Sequence, residues 1–175
     1  MKRRILLLAL LALAAAAPAL ADWPAGGIKV NGFNNNDQWN CSMVPDGSEG
    51  MIYVWQEGGT SIWAQRYDHM GNRVWPMDVR VDPDSGNLDA VTACRDGAGG
   101  VVVAWVEFGA VQRIRLQRID GAGALQWPDR GVPVTLTPGL GQREPVLMPG
   151  TASSEPMVLF GQNTAGDIWR TTVQK

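Results

Sequence analysis

The chain has 175 residues, with 15 Lys plus Arg against 17 Asp plus Glu, one His and two Cys. A net charge of −2 leaves no broad basic surface for a nucleic-acid backbone. One His, and two cysteines that lie 94 − 41 = 53 residues apart, give none of the ligand spacings of a structural zinc site.

In chain order, the first element is a leader. Lys2, Arg3 and Arg4 precede a run of 13 apolar residues, Ile5 to Ala17, and Ala19-Leu20-Ala21 supplies the small residues that a signal peptidase reads. The apolar run is shorter than the roughly 20 residues a membrane-crossing helix needs, so no membrane span is expected. Residues 1–21 are thus read as a signal peptide, cleaved near Ala21, and 22–175 as one secreted or periplasmic domain. Cleavage removes three basic residues, leaving 12 − 17 = −5. In an oxidising compartment Cys41 and Cys94 are either one disulfide or two free thiols.

The remaining elements repeat. Trp-Pro occurs at Trp23-Pro24, Trp75-Pro76 and Trp127-Pro128, at intervals of 75 − 23 = 52 and 127 − 75 = 52. Each leads into an extended exit: Gly27-Ile28-Lys29-Val30, Asp78-Val79-Arg80-Val81 and Gly131-Val132-Pro133-Val134. A weak first strand follows, near Gln38 to Val44, Leu88 to Cys94 and Glu144 to Met148. Next comes a turn, Asp46-Gly47-Ser48-Glu49-Gly50 in one unit and Asp96-Gly97-Ala98-Gly99-Gly100 in the next. Asp-Gly supplies the positive φ that a tight reversal between strands requires. Second strands end on an aromatic, at Trp55, Trp105 and Phe160, and third strands run Ile62 to Tyr67, Ile114 to Ile119 and Ile168 to Val173. Four short strands per unit, with turn signals every 8 to 12 residues, make the chain all-β. The third unit lacks its own Trp-Pro exit, which the N-terminal strand is expected to complete. Closure of that kind removes an exposed sheet edge, within one chain or between two.

These residues resemble the β-propeller repeat of bacterial secreted and cell-surface proteins: D-G-x-G-G, an apolar strand ending in Trp, a strand with Gln-Arg, then D-x-x-G-x-x-x-W. Asp96 to Val134 fits best, with Trp105, Gln117-Arg118, Asp120, Gly123 and Trp127; Thr171-Thr172 departs from Gln-Arg in the third unit. The resemblance implies propeller-like blades, as a three-bladed ring or as a strand-exchanged homodimer of six; a β-trefoil is the alternative three-repeat fold. It implies no activity, since fold does not fix function.

Recurrence sorts the candidate residues. Trp23, Trp55, Trp75, Trp105 and Trp127 recur and are read as packing residues, and Gln65-Arg66 and Gln117-Arg118 as hydrogen bonders between strands or blades. Trp63, Arg115 and Trp169 take one strand position in three units, an aromatic and guanidinium set suited to a sugar or carboxylate. Asp82, Asp84 and Asp89 are read as a plain polar turn or, alternatively, as a partial oxygen-ligand loop for calcium without the bidentate Glu of an EF-hand; otherwise no cofactor is expected. The aligned Glu57 and Glu107, and His69 beside Asp68 and Ser61, are the only hints of hydrolysis, and neither makes a recognisable motif. The expected function is a non-catalytic exported module, not an enzyme, that binds a protein or serves the envelope. A small lectin-like propeller is the alternative, and a hydrolase the third.

Overall fold

The computed structural model describes residues 26–32, 36–82, 86–134, 140–150, 156–162 and 168–172. Among them the only regular elements are strands, grouped in three successive antiparallel meanders. The first sheet is β1 (Gln38–Pro45), β2 (Met51–Glu57), β3 (Ser61–Tyr67) and β4 (Val79–Arg80), in that order. The second repeats it with β5 (Leu88–Arg95), β6 (Val101–Glu107), β7 (Arg113–Ile119) and β8 (Val132–Pro133). The third has β9 (Gln142–Met148), β10 (Met157–Gln162) and β11 (Ile168–Thr172). Separate meanders, one per unit, replace the shared barrel that a trefoil would require.

In each of the first two sheets an aspartate holds the turn before the second strand and the turn after the third. Asp46 Oδ1 accepts from Ser48 N at 2.7 Å and Gly50 N at 2.9 Å, and its Oδ2 accepts from Arg66 Nε at 2.8 Å. Asp96 does the same for Ala98 N, Gly100 N and Arg118 Nε, at 2.7, 2.8 and 3.0 Å. The turns after β3 and β7 use Asp68 and Asp120, whose Oδ1 atoms accept from Met70 and Asn72, and from Ala122 and Ala124. Buried Gln65 and Gln117 tie the third strand to the exit, donating to Asp78 Oδ1 and to the carbonyls of Trp127 and Pro128. Gln-Arg therefore works as the recurrence suggested: Gln locks the exit, and Arg locks the turn.

One repeated feature is invisible in the sequence. The register shifts once in the first strand of each sheet, where Asn40, Ala90 and Glu144 take φ of 49°, 54° and 55°. These bulges align the units. Counted from them, Phe160 occupies the place of Trp55 and Trp105, and Trp169 that of Trp63 and Arg115.

The sheets stack face to face through apolar seams. Val44, Ile52, Val54, Ile62 and Ala64 of the first sheet meet Val101, Val103, Trp105 and Ile119 of the second. On the other face of the second sheet, Cys94, Val102, Ala104, Ile114 and Leu116 meet Leu147 and Val158 of the third. β6 is thus covered on both sides, which explains its unbroken apolar run. Trp75 wedges the first seam: its Nε1 donates to Gly121 O at 3.1 Å, and a Cβ on Gly123 would lie 3.1 Å from its ring. Trp127 is half-buried against the second seam, and Trp23 lies outside the described residues. Among the described residues, the indole N–H groups of buried Trp55 and Trp105 have no hydrogen-bond partner, so bulk is what these positions use.

One expectation changes here, and the choice left open for the cysteines is decided. The third sheet has three described strands, not four, and Ile28 to Val30 belongs to none; its neighbour is the first sheet, where Tyr67 Oη donates to Val30 O at 2.8 Å. Cys41 and Cys94 are both free thiols, because Cys94 is buried in the second seam while Cys41 is exposed on β1.

Candidate functional site

The first strands of the three sheets run closest together, β1 beside β5 and β5 beside β9. Where they end, a cleft of about 310 Å³ opens between Met43, Val44 and Pro45 of β1, Ala93, Cys94 and Arg95 of β5, Leu147 of β9 and Pro149. Val44, Cys94 and Leu147 are buried, while Met43, Pro45, Arg95 and Pro149 are exposed at its mouth. A second hollow of about 220 Å³ shares Pro45 and Arg95 and continues over the turn glycines Gly47, Gly97, Gly99 and Gly150. An apolar wall beside one guanidinium and exposed backbone is the composition of a binding cleft, at the small end of the usual range.

Burial, with the Asp96 charge adding to it, pushes the Cys94 thiol up to about 12 against the opposing Arg95, so it is no thiolate nucleophile at neutral pH. Desolvation raises Asp46, but the Ser48 and Gly50 amides and Arg66 outweigh it and hold the carboxyl below its ordinary value. Asp46 is therefore ionised and committed to its own turn.

The residues singled out from the sequence lie elsewhere. Trp63 is half-buried opposite Trp55 and Arg80, and its Nε1 donates to Ser61 Oγ at 3.1 Å. Arg115 holds the equivalent place on the next sheet, opposite Trp105 and Pro133, where its Nε donates to Glu107 Oε2 at 2.6 Å. Trp169 sits at the same register on β11; its side chain is outside the described part. The set repeats around the sheets, and the partners of Trp63 and Arg115 come from their own sheets.

Asp82 and Asp89 also part company. Asp82 is buried, and its Oδ1 accepts from Ile62 N at 2.6 Å; burial pushes its carboxyl up to about 7, against that amide and the Arg80 charge. Asp89 is exposed, accepting from Asn40 Nδ2 at 3.0 Å and from Ala90 N, while Asp84 lies outside the described residues. Among the described residues, no group of three His, Cys, Asp or Glu side chains comes together.

The hydrolytic hints are likewise occupied. Desolvation raises Glu107, but Arg115 and Arg130 hold it below its ordinary value, so it stays ionised and cannot donate a proton near neutrality. Glu57, on the neighbouring sheet, accepts from Asn36 Nδ2. Ser61 Oγ donates to Glu57 O and accepts from Trp63, and Asp68 is tied into its own turn, so the His69 trio is no relay.

Sequence reading missed the cleft. Apart from Arg95 its members are ordinary apolar residues some 50 positions apart, and their one shared signal is the place at the end of each first strand, at Pro45, Arg95 and Pro149. No family model matches the chain, and a search of curated proteins finds no match either.

Proposed function

We propose that this chain is a non-catalytic, exported module of β-propeller blades that binds a partner protein through the cleft at the ends of β1, β5 and β9. The supporting observation is the division of labour among its side chains. The recurring Asp, Arg and Gln residues are spent on turns and sheet exits, whereas Pro45, Arg95 and Pro149 open into a shared concavity. Such a site takes an apolar side chain of the partner, with an acidic group near Arg95. The basic start and apolar run of residues 1–21 support export.

The test is a pull-down from the secreted fraction with the wild-type chain, Arg95→Glu at the cleft mouth, and Met77→Glu, an exposed residue that does not line it. One partner held by wild type and Met77→Glu and lost with Arg95→Glu is the expected result. The same proteins captured by all three would overturn the proposal.

A lectin-like reading rests on one observation, that Trp63 is left partly accessible while Trp55, directly opposite, is buried. A glycan array with wild type and Trp63→Ala decides it: silence across sugars removes that reading.

A further inference from the structure

We infer that two copies of the chain close one ring of six sheets, each copy lending its Ile28-Lys29-Val30 segment to the third sheet of the other. This rests on reading the sheets as propeller blades.

The argument starts from the two seams inside the chain. Each joins one face of a sheet to the opposite face of the next, and the first strands contribute equivalent residues. Val44 and Cys94 stand at the same distance past the bulge and are only 3% and 4% exposed, because the following sheet covers them. Met148 is their counterpart on β9, yet it is 48% exposed, and Val146 on the same face is 53% exposed. At the other end of the stack, the face of the first sheet turned away from the second is open at Met43, although Trp55 and Tyr67 on that face are buried. Met43, opposite Tyr53, is 60% exposed there, whereas its counterparts Ala93 and Leu147 pack into seams. The molecule thus carries the two halves of a seam it builds twice, one half at each end. Such a head-to-tail match accepts another copy of the same chain.

The strand pairing leads to the same partner. In the complete sheets, the exit strand pairs with the third strand, Arg80 opposite Trp63 and Pro133 opposite Arg115. Val81 N and Val134 N then bond back to Ile62 O and Ile114 O. No described strand pairs with the outer edge of β11. Ile28-Lys29-Val30 has the pattern of Val79-Arg80-Val81, and it is already seated on the outward face of the first sheet. Tyr67 Oη donates to Val30 O, and Gly32 N donates to Asp78 Oδ2, both at 2.8 Å. A third sheet arriving at that face to cover Met43 would meet this segment as a fourth strand. The sheet of the same chain does not arrive, since Met148 and Val146 remain uncovered. Propeller rings typically hold about 4 to 8 blades, and six is the only multiple of three in that range.

Sedimentation velocity of the secreted chain should show a single species of two chains. Register supplies a sharper test, because Lys29 in the exchanged strand falls opposite Trp169, as Arg80 does opposite Trp63. Cross-strand neighbours lie within disulfide reach. Mixing a Lys29→Cys copy with a Trp169→Cys copy under oxidation should therefore link the two introduced cysteines, with the linkage mapped by mass spectrometry. Met148→Glu, placed where a lone chain is already open to water, should return the assembly to single chains.

A monomeric wild type, or an assembly larger than two chains, overturns the inference. A link that forms only when both substitutions are in one chain also overturns it, and leaves the blade reading standing as a three-sheet ring. No link in either arrangement overturns the blade reading as well.

Discussion

Asp82→Asn should make the protein more stable above neutral pH and remove a dependence on pH that the wild type carries. Asp82 is fully buried, and its carboxyl is pushed up to about 7, against about 3.9 in an unfolded chain. A difference of about three units, at about 1.4 kcal/mol each, makes the charged form roughly 4 kcal/mol less favourable in the folded state. The folded-state value is raised, so between about pH 4 and pH 7 the folded protein keeps a proton that the unfolded chain gives up. Stability from this group is therefore present below about pH 4, falls as pH rises through that window, and is flat above it. Asparagine keeps an oxygen for Ile62 N and has no proton to lose. The second sheet already uses that solution, since Gln142 Oε1 accepts from Ile114 N at 3.1 Å. Urea unfolding of both proteins at pH 4.5, 6 and 8 should show the variant gaining on the wild type with each step, by on the order of 3 kcal/mol in all. Parallel stability curves across that range, or a variant that is weaker at pH 8, would refute the reasoning.

Asp46→Ala leaves the Gly50 amide and Arg66 without their buried acceptor and should cost about 3 kcal/mol at neutral pH, measured by urea titration. The Asp46 carboxyl is lowered in the folded state, so its contribution is present above about pH 4. The gap between wild type and variant should accordingly close as pH falls through the lowered value. Gly123→Ala puts a methyl 3.1 Å from the Trp75 ring at a φ of +91°, and a loss of about 2 kcal/mol or more is expected by thermal unfolding. Trp105→Ala should cost about 3–5 kcal/mol. Trp105→Phe should cost clearly less, because the indole N–H has no partner among the described residues and Phe160 stands at the equivalent register position in the third unit. Equal losses for the two would show that the position needs the full indole.

Much of the strand pattern was legible because its causes are local. Asp46 and Asp96 bond to amides two and four residues on, and the strands they join are neighbours in the chain, so turn chemistry and apolar runs fix the pairing. Trp75, which the Trp-Pro spacing singled out, is buried, and Gln65 and Arg66, which recurrence singled out, hydrogen-bond to Asp78 and Asp46. That Trp75 sits against Gly121 and Gly123 of the next unit was beyond reach, since a recurring residue does not name what it touches. The bulges at Asn40, Ala90 and Glu144 carry no common residue type, so nothing in the sequence announces them. Asp82 looked like a metal ligand because its acidic neighbours are visible in sequence, whereas the Ile62 amide that it caps lies 20 positions away. The fate of the cysteines turned on which side of its strand each occupies.

The sequence by itself determined that the protein is all-β, where its strands and turns fall, and that one unit recurs. Period, turn residues and short connections act within a single hairpin or meander, where chain neighbours are also neighbours in space. Only the tertiary structure decided which faces of those meanders are covered. The same position past the bulge is sealed at Val44 and Cys94 and open at Met148, although all three are apolar. The difference is whether another sheet stacks on that face, a relation among residues 50 or more positions apart that no local pattern encodes.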